Sequence, residues 1–302
     1  MSRDGALLVV GDVVTDVIAR HRTPLAPATD TAAVIRTLPG GAGANAACWA
    51  ARSGHPDVRL LGRVGTDAAD WHERALTGAG VRPLLVPDPR VPTATVIALV
   101  DAAAERTFLT DGGAVLRLCP ADWSAGLLDG VAALHLSGYL FFAEPSGAAA
   151  RLALRDARAA GTPVSVDPAS AGFLAELGPE RFLAAVEGAS VLLPNADEAR
   201  ELTGAPDPEA AARELSRRVP LVVVTLGAAG ALVAEGGAVT ARVAAVPVAP
   251  ERRVDSTGAG DAFTGGFLAA RRAGADPVAA ARAGCAAGAR AVTVVGGRPP
   301  SV

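Results

Sequence analysis

The 302-residue chain contains no lysine; all 28 of its basic side chains are arginine. That absence excludes Schiff-base and pyridoxal chemistry, which need a lysine amine. It also excludes a Walker A loop, so phosphate would have to be held by backbone amides, a metal ion or arginine. Cysteine is scarce as well: Cys48, Cys119 and Cys285 lie far apart with no C-x-x-C pair. Neither zinc nor a disulfide framework is indicated, and small or apolar neighbours predict three buried, inert thiols. His21, His55, His72 and His135 are scattered, with no pair at a metal-binding spacing. The longest apolar run, around Val131 to Ala143, is broken by His135, Ser137 and Gly138. No segment therefore reaches the ~20 apolar residues of a membrane span. A net charge of −3 offers no field for nucleic acid or an anionic membrane, and neither is expected as a partner. The N-terminus runs straight into the strand-like Ala6 to Val10, leaving no room for a signal peptide and predicting a cytoplasmic protein.

What is present is apolar: half of the residues, enough for a sizeable core in one large α/β domain or two small ones. Ala6 to Val10 reads as a strand buried in a parallel sheet, ending at Gly11-Asp12. Strand and helix patterns then alternate along the chain. Helices are expected near 46–53, up to 77, 146–160, 179–186, 196–202 and from Asp207-Pro208, where Asp caps and Pro opens the first turn. Strands are expected at 60–64, 132–136, 163–166, 191–193 and 221–225, with a hairpin over 231–243. Such alternation predicts a doubly wound, mostly parallel α/β sheet flanked by helices. Strand-like stretches at 13–20, 32–38, 93–100 and 106–110 have no helices between them, and should form a separate small sheet over the cleft. No linker, repeat or low-complexity segment divides residues 1–302, so a single domain is expected.

The stretch Val254-Asp255-Ser256-Thr257-Gly258-Ala259-Gly260-Asp261-Ala262-Phe263 is where the chemistry is expected. Phe263 and Phe267, with Ala262, Gly266, Ala269 and Ala270, mark the buried side of a helix beginning there. A helix opening on Gly258-Ala259-Gly260 presents free amides at its positive end, a ready anion site. Asp261 in the first turn puts a carboxylate beside that anion hole. Such a group suits proton removal from a hydroxyl while the amides hold phosphoryl oxygens. A glycine turn whose Asp merely offsets the helix dipole remains an equal alternative from physics alone.

Asp255 to Asp261 closely resembles the D-T-x-G-A-G-D motif of the ribokinase-like (PfkB) carbohydrate kinases, with Ser256 in place of Thr. The resemblance implies the ribokinase-like fold and ATP-dependent phosphorylation of a primary hydroxyl on a sugar-like molecule. It implies Asp261 as base, with Gly258, Ala259 and Gly260 opening an anion hole formed by the amides of Ala259, Gly260 and Asp261. Gly40-Gly41-Ala42-Gly43-Ala44-Asn45 is similar to the family's hinge motif, which makes Gly41 a hinge and Asn45 a substrate ligand. Adjacent glycines do permit backbone angles closed to other residues. Asp16 stands at the offset from Gly11 where the family carries a substrate-binding Asp, with Asp12 a second candidate. Asn195-Ala196-Asp197-Glu198 matches the family's N-x-x-E, which implies Asn195 and Glu198 at Mg2+ and the phosphates, often through water. The same letters are a capping box that needs no ligand. Thr225, Gly227 and Gly230 fall in the strand and turn that would line ATP.

Asp167 alone is retained from the family's D-P-N-x-R strand end, because Ala169 and Ser170 stand where the Asn would be. No carboxylate occurs in Leu134-His135-Leu136-Ser137-Gly138-Tyr139, where ribokinases proper present a Glu to ribose, and ribose itself is in doubt. Residues 291–297 resemble the region whose carbonyls hold K+ in relatives, with Asp255 as a possible member. The small sheet, over 13–38 and 93–110, is implied to be a lid that also clasps a homodimer. Three other functions compete. A nicotinamide oxidoreductase could read Gly41-x-Gly43 as a dinucleotide fingerprint, although the motif is not in the first strand–helix turn. The alternatives to a sugar kinase are a nucleoside kinase of the same family and a non-catalytic sugar-binding relative.

Overall fold

The computed structural model describes residues 5–102 and 106–300, with the backbone only at Arg106. The first four residues, and the centre of the turn expected between 100 and 106, lie outside the described residues. In chain order the first elements are β1 (Ala6–Val10), β2 (Val14–His21), β3 (Ala33–Gly40), α1 (Ala42–Arg52), β4 (Val58–Gly65), α2 (Ala69–Gly78) and β5 (Val81–Asp88). Next come β6 (Ala94–Val100), β7 (Arg106–Asp111), β8 (Val131–Ser137), α3 (Ser146–Ala159), β9 (Val164–Asp167), α4 (Ala171–Leu177) and α5 (Pro179–Ala185). The rest are β10 (Val191–Leu192), α6 (Ala196–Thr203), α7 (Pro208–Leu215), β11 (Leu221–Thr225), β12 (Ala231–Glu235), β13 (Ala238–Val243), α8 (Ala259–Arg272) and α9 (Pro277–Ala291).

β1 explains the architecture. All five of its residues are buried. Leu7 and Val9 enter one core with α1, α8 and α9, while Leu8 and Val10 enter the other with α3 and α4 to α7. A strand buried on both faces has to be apolar throughout, and each Leu or Val side chain so buried stabilises by roughly 1.5–3 kcal/mol. β1 lies in a nine-stranded sheet of order β13-β12-β11-β10-β9-β8-β1-β4-β5. It is parallel from β11 to β5, and β12 and β13 return antiparallel at one edge. This is the doubly wound sheet expected from the alternation.

The stretches without helices form a second sheet of order β3-β2-β6-β7. Asp16 lies opposite Leu38 on one side and Val96 on the other. Cleft-facing Asp16 and Ile18 thus share a face with Val96, Ala98 and Phe108. Among the described residues no helix is long and apolar enough to cross a membrane.

The structure departs from the expectations in four places. β5 carries Pro83 and Pro87, which argue against a strand, but it is an edge strand where a missing N–H breaks no internal ladder. α4 and α9 are further elements; α9 begins at Asp276, whose side chain accepts from the Ala279 amide at 2.7 Å, followed by Pro277. α1 begins at Ala42 rather than Ala46, so Asn45 belongs to its first turn. Cys48 and Cys285 are buried as expected, whereas Cys119 is half-buried beside Pro120 at a surface turn.

Candidate active site

The C-terminal ends of the parallel strands and the inner face of the small sheet enclose a cleft of about 1110 Å3. Open α/β sheets bind ligands at this end. Asp16, Gly41, Asn45, Asp167, Asn195, Glu198, Thr225, Gly258, Gly260 and Asp261 all line it, although they come from six different segments. Gly227, Gly230, Ala259 and Asp255 do not. Gly230 (φ 98°) instead serves the turn into β12, where any Cβ would collide with the Val243 carbonyl.

α8 starts at Gly258, which has the left-handed φ of 71° and sits so close to Gly297 that a Cβ would collide. Past it, the Ala259 amide donates to the Ser256 carbonyl at 3.3 Å and the Ala262 amide to Gly258 at 2.8 Å. Among the described residues no group accepts from the Gly260 or Asp261 amides. The anion hole therefore has two amides, not the three expected. A Cβ at Gly260 would meet nothing within 4 Å, so open space lies over these donors.

Asp261 lies at the floor of the cleft. Its Oδ2 accepts from Asn45 Nδ2 at 2.8 Å. The bond is possible because Gly265 lets α8 approach the Ala46 carbonyl of α1 with no side chain between them. Burial raises the Asp261 carboxyl well above its usual range, the Asn45 bond opposes this, and the charges of Asp167, Asp12 and Asp16 add to it. That is the basicity a proton acceptor needs. Asn45 is a neighbour of the base in this state, and its buried Oδ1 has no partner.

The start of α1 looks like a second anion site but is already filled. Asp12 Oδ2 accepts from the Ala42 amide at 2.6 Å and Oδ1 from the Gly43 amide at 3.0 Å. Ser137 Oγ donates to the same Oδ1 at 2.6 Å. A pyrophosphate has no free amides to bind here, which removes the physical basis for the dinucleotide reading of Gly41-x-Gly43. Gly41 has φ 97°, and a Cβ there would meet the Asp12 carbonyl at 2.5 Å.

Asn195 caps α6, accepting from the Asp197 and Glu198 amides at 2.9 Å each. Glu198 returns the bond through its Oε2 to the Asn195 amide at 2.8 Å and accepts from Asn195 Nδ2 at 2.6 Å. The capping box is real, and it faces the cleft beside Thr225, whose amide donates to the Pro194 carbonyl at 2.9 Å. Asp167 accepts from the Ala169 amide at 3.0 Å and from Thr264 Oγ1 at 3.0 Å. Burial raises the Glu198 carboxyl, with the Asp167 charge adding to it, and burial raises Asp167 likewise.

Asp167, Glu198 and Asp261 thus crowd carboxyl groups into one part of the cleft, and Arg181 is the one arginine among all its lining residues. Oxygen donors whose ionised form is disfavoured by burial and by one another's charge suit a hard divalent ion. Among the described residues no three carboxylate, His or Cys groups form a ready cage. Mg2+, which keeps several waters and shares substrate phosphates, fits that sparse donor set.

Asp16 reaches the cleft from the small sheet, where the charges of Asp12 and Asp255 act on it. Burial raises its carboxyl to about 7, against the lowering effect of Arg298, and no hydrogen bond holds it among the described residues. Its cleft-facing neighbours on the small sheet, Ile18, Val96 and Ala98, are apolar, and an aromatic cluster lines the cleft nearer the acidic residues. Tyr139 meets Phe142 and Phe173 edge-on with centroids 6.1 Å apart in each case, and Phe142 and Phe173 lie 5.4 Å apart. The sequence reading assigned no role to Ser137, Thr264 or these aromatics. Thr264, one turn beyond Asp261 on α8, was open to inference from helical spacing. The aromatic wall was not, because it joins residues from separate strands and helices.

A family model described as pfkB family carbohydrate kinase matches residues 5–302. The chain is 31% identical over 280 residues to a fructokinase of Klebsiella pneumoniae, covering 88% of this chain and 84% of that protein. Its structure resembles an adenosine kinase from Sinorhizobium meliloti with TM-score 0.88 at 25% identity, covering 98% and 96% of the two chains. It also resembles an Arabidopsis thaliana ribokinase solved with ribose and ATP, with TM-score 0.82 at 25% identity and coverage of 97% and 94%.

Proposed function

The chain belongs to the pfkB family of carbohydrate kinases, and from that premise we propose the part each cleft residue plays in the reaction. The protein is an ATP-dependent kinase of an alcohol in the sugar or nucleoside class. In our reading Asp261 Oδ accepts the proton of a primary hydroxyl as that oxygen attacks the γ-phosphorus. The bond from phosphorus to the β,γ-bridging oxygen breaks, ADP leaves, and the Gly260 and Asp261 amides hold the charge on the transferred group. Asn45 orients Asp261, and Asp16 accepts hydroxyls of the acceptor. Asn195, Glu198, Thr225 and the 226–230 turn border ATP. Mg2+, held through water by Glu198 and Asp167, would neutralise the phosphate oxygens during transfer. A K+ ion bounded by Asp255 and the carbonyls of 291–297 is a further part of the proposal, as is a cytoplasmic location with its ATP.

The observation that carries this reading is the pair of unclaimed amides beside a basic carboxylate. Its test is a coupled ADP-release assay with Mg·ATP over sugars, sugar acids and nucleosides, checked by mass spectrometry. One phosphorylated acceptor per ADP is expected. Failure to phosphorylate any acceptor, with ATP bound, would favour the sugar-binding alternative.

One observation favours nucleosides over free sugars. Phe108, Tyr139, Phe142 and Phe173 offer ring faces and edges that suit a flat base and leave a bare polyol's hydroxyls unpaired. A nucleoside is then expected to have a higher kcat/KM than its free sugar. The opposite face of the lid exposes Ile35 and Leu109, which supports a homodimer clasped there. Sedimentation showing only monomer at micromolar concentration would remove that clasp.

A further inference from the structure

Arg298 has no assigned part in the reaction, yet this partly exposed residue turns its guanidinium inward behind the acceptor site. It follows Gly296 and Gly297 on the turn that leaves α9. That turn is anchored on three sides: the Gly296 amide donates to Asp255 Oδ2 at 3.0 Å, the Gly297 carbonyl accepts from Trp49 Nε1 at 2.9 Å, and Gly297 packs against Asn45 and Gly258. The guanidinium emerges behind the lid hinge, where Nη2 donates to the Gly40 carbonyl at 3.0 Å. Its Nε and Nη1 are buried with no partner. A forked cation with spare donors in the interior is costly unless a charge compensates it.

The compensating charge is across the hinge. The Asp16 carboxylate lies flat against Gly40, so close that a Cβ there would collide with it. Gly40 is therefore a thin partition, with its carbonyl held by Arg298 and its α-carbon against Asp16. Asp16 and Asp12 are the carboxylates that Arg298 senses, and of the two Asp12 already has two amides and a hydroxyl. Asp16 has none of these.

We propose that Arg298 is a positioning residue for the acceptor site, supplying the counter-charge to Asp16 through the Gly40 partition and fixing the end of β3 on which that partition stands. The inference rests on the reading of Asp16 as the acceptor ligand. It gives the acceptor site a cation that does not line the cleft, so acceptor affinity depends on a residue outside the pocket wall. ATP, at the α8 and β11 end, does not depend on it.

The test is a double-mutant cycle of Asp16→Asn and Arg298→Gln, with KM for the acceptor, KM for ATP and kcat measured on the full chain, and Arg298→Lys alongside. Arg298→Gln is expected to raise the acceptor KM roughly tenfold, the order of one partly desolvated charge pair, with the ATP KM within twofold. In the Asp16→Asn background it should add little. Arg298→Lys, which keeps the charge and loses the fork, should recover most of the acceptor KM. Equal losses for both substrates, additive effects with Asp16→Asn, or a lysine variant no better than glutamine would each overturn the inference. If Asp16→Asn alone leaves the acceptor KM unchanged, the acceptor-site reading falls and the inference with it. Should Arg298→Gln not fold, the cycle is run with Arg298→Lys, where a fully additive loss overturns it in the same way.

Discussion

The starts of α1 and α8 face the same cleft, and each follows a glycine with positive φ, 97° at Gly41 and 71° at Gly258. Both stretches are glycine-rich and alanine-rich, and each has an Asp among its neighbours. In α1 the Asp comes from the end of β1 and closes the helix, taking the Ala42 and Gly43 amides. In α8 the Asp belongs to the helix itself, is turned to Asn45, and leaves the Gly260 and Asp261 amides unclaimed. A helix N-terminus is an anion site only where the chain has not supplied its own anion. One carboxylate placed before the helix makes a structural joint; one placed inside its first turn leaves room for phosphate and a base beside it.

The largest expected effect breaks the open helix. Asp261→Asn keeps the shape and removes the basicity, and kcat should fall by roughly 10²–10⁴ with ATP affinity largely kept. Turnover within a few-fold of wild type would reduce Asp261 to a helix-dipole residue. The closed helix should respond in stability. Asp12→Ala leaves the Ala42 and Gly43 amides and the Ser137 hydroxyl without their partner, and should cost about 1–3 kcal/mol. An unchanged urea midpoint would mean that Asp12 does not hold α1.

A smaller effect distinguishes space from strain. Gly260→Ala adds a methyl over the open amides with nothing to displace, so it should raise the ATP KM about tenfold or less while leaving the melting temperature near wild type. A fall in melting temperature with ATP binding intact would show that the space is not the phosphate site.

The smallest effect is electrostatic. Burial raises the Asp16 carboxyl to about 7, so the folded protein binds that proton more tightly than the unfolded chain. Stability present at low pH is therefore lost as pH rises through about 7. His72 and His135, lowered to about 4, act in the opposite direction until the unfolded imidazoles have lost their protons, about one pH unit above 6.5, so the Asp16 effect is read as a difference between variants. Between about pH 6.5 and 8 the melting temperature of the unliganded protein should fall more, or rise less, than that of Asp16→Asn. Parallel slopes would place the titration elsewhere, with Glu198 the first candidate because burial raises it in the same direction.

How much of this could be read in the sequence follows from the range of each interaction. β1, β11 and the capped starts of α6 and α7 are local patterns of burial and hydrogen bonding, and they are legible in Ala6 to Val10, Leu221 to Thr225, Asn195-x-x-Glu198 and Asp207-Pro208. The start of α1 was misplaced because Gly and Ala do not mark a helix; what begins it at Ala42 is a carboxylate 30 residues upstream. β5 was hidden by Pro83 and Pro87, which only its edge position tolerates. In the site, Asp16, Asn45, Asn195 and Asp261 stand in motifs. The pairing of Asn45 with Asp261 spans 216 residues, and that of Arg298 with Gly40 spans 258. Such pairings exist only once the sheet has closed, and no local spacing announces them. Asn45 and Asn195 are the chain's two asparagines, and both face the cleft.

The claim that phosphate goes to α8 and not to α1 can be read directly from backbone amides. Titration of Mg2+ and a non-hydrolysable ATP analogue into 15N-labelled protein should move the Gly260 and Asp261 amide resonances strongly, and leave those of Ala42 and Gly43 near their free positions. Large shifts at Ala42 and Gly43, with Gly260 and Asp261 unmoved, would contradict the account.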